Sequence, residues 1–93
     1  MPTSAHSRAV AALRFRALGD ETRLHLLELL AEGERSVAQL MAAAGLGQSL
    51  VSHHLRTLRD ADLVATRRDG RWVYYTISKG GLTNAKLVLY ELG

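Results

Sequence analysis

The sequence predicts a mainly α domain with a small β-hairpin, an α+β chain of four helices, two strands and a closing helix. Three observations predict it. Apolar residues recur at helical spacing through the first two thirds of the chain and again after Ser78. Between Leu63 and Ile77 the period drops to two, on either side of Asp69-Gly70. Gly19, Gly33, Gly45 and Gly47 divide the helical stretch, and the lone proline, Pro2, precedes all of it.

The first helix is expected from about Ser4 to Ala17, with Val10, Leu13 and Ala17 on one stripe and Phe15 and Leu18 beside it. Gly19 ends it, and the Asp20 carboxylate is placed to accept the first free N–H groups of the next helix. That second helix, about Glu21 to Glu32, carries Leu24, Leu27 and Leu30 on one stripe, widened by Leu26 and Leu29. It is apolar over more than half its circumference and should be central. Gly33 closes it, and Ser36 caps a third helix, Val37 to Ala44, with Val37, Leu40 and Met41 inward.

Gly45-Leu46-Gly47 turns the chain into a fourth helix, about Gln48 to Ala61, whose Val51, Leu55 and Leu58 face the core with Leu50 and His54 beside them. After Asp62 two strands flank Asp69-Gly70, the pair that suits a type I′ turn because both central residues take positive φ. Leu82, Ala85, Lys86, Leu89 and Leu92 return to helical spacing, giving a last helix from about Lys79 to Leu92.

Residues 1–93 are expected to form one domain, and a domain that small buries a modest share of its surface, so a second copy would help to stabilise it. At 47% hydrophobic and 23% charged, the composition is that of a globular protein rather than a disordered or fibrous one. With no cysteine, disulfides, thiolate metal sites and cysteine nucleophiles are excluded. Ser36 to Leu55 is uncharged and long enough to span a bilayer, yet its glutamines, serines, glycines and histidines are too polar for hydrocarbon. Met1 to Ser7 is short and polar and does not read as a signal peptide, so a cytoplasmic location is expected.

The net charge is +3, and its placement says more than its size. Residues 1–46 hold five Arg against five acids, residues 47–79 hold six Arg or Lys against three Asp, and residues 80–93 hold one of each. The whole excess sits in one segment, the electrostatic footprint of a polyanion partner.

Two short helices joined by Ala44-Gly45-Leu46-Gly47 make a helix-turn-helix, about residues 36–61, whose second helix must offer hydrogen-bonding side chains to base edges. Gln48, Ser49, Ser52, His53, Arg56 and Arg59 form its outer row, with nothing acidic among them. Gln48 suits an adenine edge in bidentate fashion, Ser49 and Ser52 suit bases or phosphates, and Arg56 suits guanine or the backbone. The free N–H groups at the start of that helix also favour a phosphate.

A polar helix face by itself is more often merely solvated. The basic hairpin directly after it overturns that reading, because Arg67, Arg68 and Arg71 crowd its tip and like charges repel unless an anion approaches. These arginines are assigned to groove and phosphate contacts, while Trp72, Tyr74 and Tyr75 are expected to pack the hairpin on the helices. The hairpin, about residues 63–77, is then a wing, the fold a winged helix-turn-helix, and the partner double-stranded DNA.

Three blocks carry a family resemblance. They are Ala17-Leu18-Gly19-Asp20-Glu21-Thr22-Arg23-Leu24 before a leucine-rich helix, Gln48-Ser49-Leu50-Val51-Ser52-His53-His54-Leu55-Arg56-Thr57-Leu58-Arg59-Asp60-Ala61-Asp62-Leu63-Val64, and Arg67-Arg68-Asp69-Gly70-Arg71 followed by Tyr74-Tyr75. From Phe15 to Ile77 the chain resembles the ArsR/SmtB-type winged-helix repressors of bacteria and archaea. The resemblance implies a homodimer built from the first and last helices, a recognition helix over Gln48 to Leu58 and a wing at Asp69-Gly70. Such a dimer would bury Val10, Leu13, Leu82, Leu89 and Leu92 and read an inverted-repeat operator, most often as a repressor.

The chain also departs from that family. Its arsenite, cadmium and lead sensors carry Cys-Val-Cys where this sequence has Ser36-Val37-Ala38, and its zinc and nickel sensors use ligands on the last helix, where Gly80 to Gly93 offers only Glu91. Redox members need cysteine. No cofactor is expected, and the signal stays open between a small molecule, an accessory protein, nickel or zinc at a non-cysteine site, and none.

As metal ligands, His53 and His54 point about 100° apart on a helix and cannot chelate one ion together. His6 and His25 are separate in sequence, and His6 with a carboxylate of a partner copy is the remaining arrangement that nickel or zinc would accept. An enzyme would need a nucleophile elbow, a phosphate loop or zinc-protease spacing, and none occurs. A winged helix used for protein contacts alone is the other rival, and the basic helix face and wing argue against it.

Overall fold

The computed structural model describes residues 5–93, with side chains from Ser7 onward; Ser4 and the His6 side chain lie outside the described residues. The elements are α1 (Ala5–Leu18), α2 (Glu21–Ala31), β1 (Arg35–Ser36), α3 (Val37–Ala44), α4 (Gln48–Asp60), β2 (Val64–Asp69), β3 (Trp72–Ile77) and α5 (Lys79–Leu92). All five expected helices and the hairpin are present, with ends within a residue of expectation among the described residues.

Local chemistry sets the breaks. Asp20 is extended and accepts the Arg23 N–H at 3.0 Å, capping α2. Ser36 and Gln39 form a reciprocal capping box on α3: the Ser36 Oγ accepts from the Gln39 N–H at 3.2 Å, and the Gln39 Oε1 accepts from the Ser36 N–H at 2.8 Å. Gly45 ends α3 at φ 69, a left-handed conformation that glycine adopts without a Cβ clash, and this bend swings α4 across α3.

The sheet has one strand more than the sequence reveals. Two residues, Arg35 and Ser36, pair antiparallel with Tyr75 and Tyr74, so the order is β1-β3-β2 and β3 is central. A two-residue strand is too short to show a period-two pattern. The turn is also shifted by one residue. Asp69 pairs with Trp72, which leaves Gly70-Arg71 as the two-residue loop, and of these only Gly70 (φ 61) is positive. Positive φ at the first central position alone is the II′ pattern rather than I′.

Leu26, Leu40, Val51, Leu55, Leu58 and Leu63 are wholly enclosed, and Tyr75, Ile77 and Leu82 pack against this core from the sheet and α5. Two expectations fail here. Leu24 is 46% exposed, because α2 turns Leu26, Leu27 and Leu30 inward instead. Leu50 is 44% exposed, because at 100° per residue it falls about 40° outside the arc of α4 spanned by His54, Leu58, Val51 and Leu55.

The apolar stripe of α1 splits. Ala11 and Ala17 are buried, while Leu13 faces outward. Small residues let α1 approach closely, and Arg14 fixes its position: its Nε donates to the Ala61 carbonyl at 3.1 Å and its guanidinium lies 3.6 Å from the Asp62 carboxylate. The same junction receives α5. The Ser78 N–H donates to the Leu63 carbonyl and the Ser78 hydroxyl to Asp62, while Gly81 lies against the Asp62 carbonyl so closely that a Cβ would collide with it.

Candidate nucleic-acid interface

The outer face of α4 is built by what its inner face is made to do. Val51, His54, Leu55 and Leu58 are buried, which fixes the helix about its own axis. Gln48, Ser49, Ser52, His53, Arg56 and Arg59 are all exposed and fall within an arc of roughly 140° at 100° per residue. Gly47, the residue before α4, has no side chain to cap it, so no side-chain bond occupies the first free N–H groups of the helix.

A polar cluster missed by sequence reasoning orients the helix from behind. Arg23 donates from Nε to the Ala17 carbonyl at 2.7 Å and from Nη2 to the Arg16 carbonyl at 3.1 Å, closing the C-terminal end of α1. Its Nη1 lies 3.3 Å from Nδ1 of His54. Arginine has no acceptor, so this Nδ1 must accept, and the imidazole is neutral with its proton on Nε2. Burial holds the His54 pKa below 6.5, opposed by Asp20 and reinforced by the Arg23 and His53 charges. The backbone N–H of Arg23 bonded to Asp20 holds that carboxyl below its usual range. His54 and Arg23 both lie in the conspicuous blocks, yet nothing in their spacing, 31 residues apart, shows that they meet.

In the wing, Arg68 and Arg71 are exposed and make no ion pair among the described residues. Arg67 differs. Its Nε and Nη2 donate to the two carboxylate oxygens of Glu34 at 2.9 and 2.7 Å, and its guanidinium carbon stands 4.8 Å over the Tyr74 ring. The pair holds the Glu34 carboxyl below its usual range and raises the Arg67 pKa further above neutrality. Of the nine predicted DNA-facing side chains, Arg67 alone makes a hydrogen bond or ion pair within the chain among the described residues.

The aromatic residues divide. Tyr75 packs on the core as expected, Tyr74 carries Arg67, and Trp72 is 54% exposed. Of the predicted dimer residues, Leu13, Leu89 and Leu92 are exposed, Val10 is half-buried, and Leu82 lies partly buried on the chain's own core. His25 lies in an open hollow on the outer face of α2 lined also by Glu21, Thr22, Leu24 and Glu28. No group of three or more His, Asp or Glu among the described residues could hold a metal ion, and no helix there is long and apolar enough to cross a membrane.

Residues 20–66, just over half of the chain, match the profile of bacterial regulatory proteins of the arsR family. The chain belongs to the ArsR family. Its relatives include the transcriptional repressor SmtB homolog of Synechocystis sp., 46% identical over 70 residues that cover 75% of this chain and 53% of that protein. This ArsR-family chain spans about half the length of the first curated relatives it matches.

Among solved structures, an ArsR-like transcriptional regulator from Rhodococcus sp. RHA1 superposes with a TM-score of 0.89 at 27% identity, covering 96% of this chain and 84% of that one. A homodimeric winged helix-turn-helix DNA-binding domain from Mycobacterium bovis superposes with a TM-score of 0.77 at 31% identity, covering 96% and 87%. The ArsR fold is thus the winged helix-turn-helix expected from the sequence, with α3 and α4 as the helix pair and β2–β3 as the wing.

Proposed function

We propose that this ArsR-family chain is a sequence-specific, double-stranded-DNA-binding transcriptional regulator, a repressor and not an enzyme, working as a homodimer in the bacterial or archaeal cytoplasm. The observation that carries the reading is α4: one face locked into the core, the opposite face polar and basic with no acid on it. In this reading Gln48, Ser49, Ser52 and Arg56 meet base edges, His53, Arg59, Arg68 and Arg71 flank them on the backbone, and Arg67 joins them only by leaving Glu34.

Two recognition helices about one helical turn apart, roughly 34 Å, would suit an inverted-repeat operator. The homodimeric relative supports the two-copy reading, as do the exposed Leu13, Leu87, Leu89 and Leu92 of α1 and α5, which a monomer leaves wet. The test is anisotropy of labelled duplexes selected from random sequence, followed from dilute to moderate salt. Affinity that falls steeply and linearly on a log–log plot is expected. No binding in dilute buffer would falsify the reading.

A further inference from the structure

We propose that Trp72 is the wing's apolar contact with duplex DNA, resting against the deoxyriboses and base edges of the minor groove; this rests on the DNA-binding reading above. The indole heads β3 directly after the Gly70-Arg71 loop, opposite Asp69. It is 54% exposed and makes no ring contact among the described residues. An aromatic side chain gains by burial, and a strand offers it a neighbour on the same face. Here that neighbour, Tyr74, is already covered by Arg67, and the indole keeps over half of its surface in solvent.

The surroundings select the occupant. Arg71 precedes Trp72 in the loop, and Arg68 pairs with Val73 on the opposite face of the hairpin; both are exposed and neither makes an ion pair among the described residues. A hairpin entering a groove tip-first would give one face to each wall, Arg68 to one strand's phosphates and Trp72 to the other strand's sugars. The floor of the minor groove displays acceptors, adenine N3 and thymine O2, and the indole N–H is a donor only. A second copy of the chain is the poorer fit. The exposed leucines that would join two copies lie on α1 and α5, and Trp72 stands at the far end of β3 from α5, about 17 Å away at strand rise.

Trp72 is the chain's one tryptophan, so its emission reports this contact directly. Adding duplex DNA should shift or quench that emission, with saturation at the same DNA concentration as the anisotropy of the labelled duplex, and should protect the indole from acrylamide. Anisotropy that reports binding while emission and acrylamide quenching stay unchanged overturns the proposal and leaves the DNA-binding reading intact. No anisotropy change removes both. Acrylamide protection that grows with protein concentration in the absence of DNA assigns the indole to a second copy and overturns it as well. Trp72→Ala should bind about tenfold more weakly with an unchanged salt slope, since no phosphate contact is lost, and Trp72→Phe should recover most of that affinity. A fall in slope equal to that of an arginine variant would mean the wing had been displaced, and would count against the indole.

Discussion

Glu34 and Arg67, one ahead of the two-residue strand β1 and the other in the wing, meet through two hydrogen bonds of 2.7 and 2.9 Å. The wing's basic tip therefore carries its own counter-anion on one of its three arginines. Releasing Arg67 to a phosphate would mean breaking that pair, so it contributes less to counterion release than Arg68 or Arg71. Arg71→Ala should lower the slope of log affinity against log salt by about 0.9. Arg67→Ala should move it less, and Glu34→Gln should raise it, because a freed guanidinium becomes available to the backbone. Salt titrations of the three variants on one duplex check the order. Equal losses for Arg67→Ala and Arg71→Ala would show that Glu34 gives way on binding.

His54 makes stability depend on pH. Its folded pKa lies below the ordinary 6.5, so in the window between the two the unfolded chain binds the proton more readily. Its contribution is intact above 6.5 and is lost as pH falls through the folded pKa, when the imidazolium would face the Arg23 guanidinium at 3.3 Å. Asp20 also loses stability on acidification, but in a lower window, beneath its ordinary 3.8. Urea melts from pH 7.5 to 5 should show a decline that His54→Gln flattens. An equal decline in that variant would assign it elsewhere.

Gly81 is required by contact rather than by conformation. It is buried in the first turns of α5, and an added methyl would strike the Asp62 carbonyl, a backbone atom with no rotamer to escape by. Asp62 has little room to retreat, since it holds a left-handed φ of 57 and is tied to Ser78 and Arg14. Gly81→Ala should therefore cost on the order of 3 kcal/mol, despite alanine's better helix propensity. Gly80→Ala, one residue away in open space, is the control and should be neutral or slightly stabilising. Denaturant midpoints of the pair decide between packing and propensity.

These relationships mark where the sequence stops being readable. Periodicity exposes elements whose partners are close in the chain: the stripe of α4, the Ser36 cap of α3 and the glycine break at Gly45 all follow from spacing within a few residues. The outer row from Gln48 to Arg59 is legible for the same reason, being the complement of a stripe. What spacing cannot show is the long-range partner. Arg67 reads as a free cation until Glu34 is seen beside it, His54 as a residue flanking the stripe until Arg23 fixes its tautomer, and Arg35-Ser36 as a loop until Tyr74 and Tyr75 pair with it. Leu24 and Leu50 fail differently, because an apolar side chain at a stripe's edge can fall on either side of it.

An acid on the outer face of α5 separates folding from assembly. Leu89 is 58% exposed, so Leu89→Glu should leave the monomer's stability within about 0.5 kcal/mol, as surface changes usually do. If α5 joins two copies, the charge would be buried without a partner and the dimer should dissociate. Sedimentation equilibrium with circular dichroism distinguishes the outcomes: a folded monomer is expected, and a folded dimer at the parent's affinity would remove Leu89 from the interface.

Gln48 is the sharpest test of how α4 reads sequence. Its amide carries both a donor and an acceptor and can match the two adjacent groups that adenine shows in the major groove, whereas phosphate contacts are the same on every sequence. It stands at the first residue of α4, exposed and without a partner in the chain among the described residues. Gln48→Ala should lose about 1–3 kcal/mol on the selected duplex at one base position and almost nothing on random duplex, with the salt slope unchanged. Competition between selected and single-substituted duplexes measures this directly. Equal losses on both would place Gln48 on the backbone and move base reading to Ser49, Ser52 and Arg56.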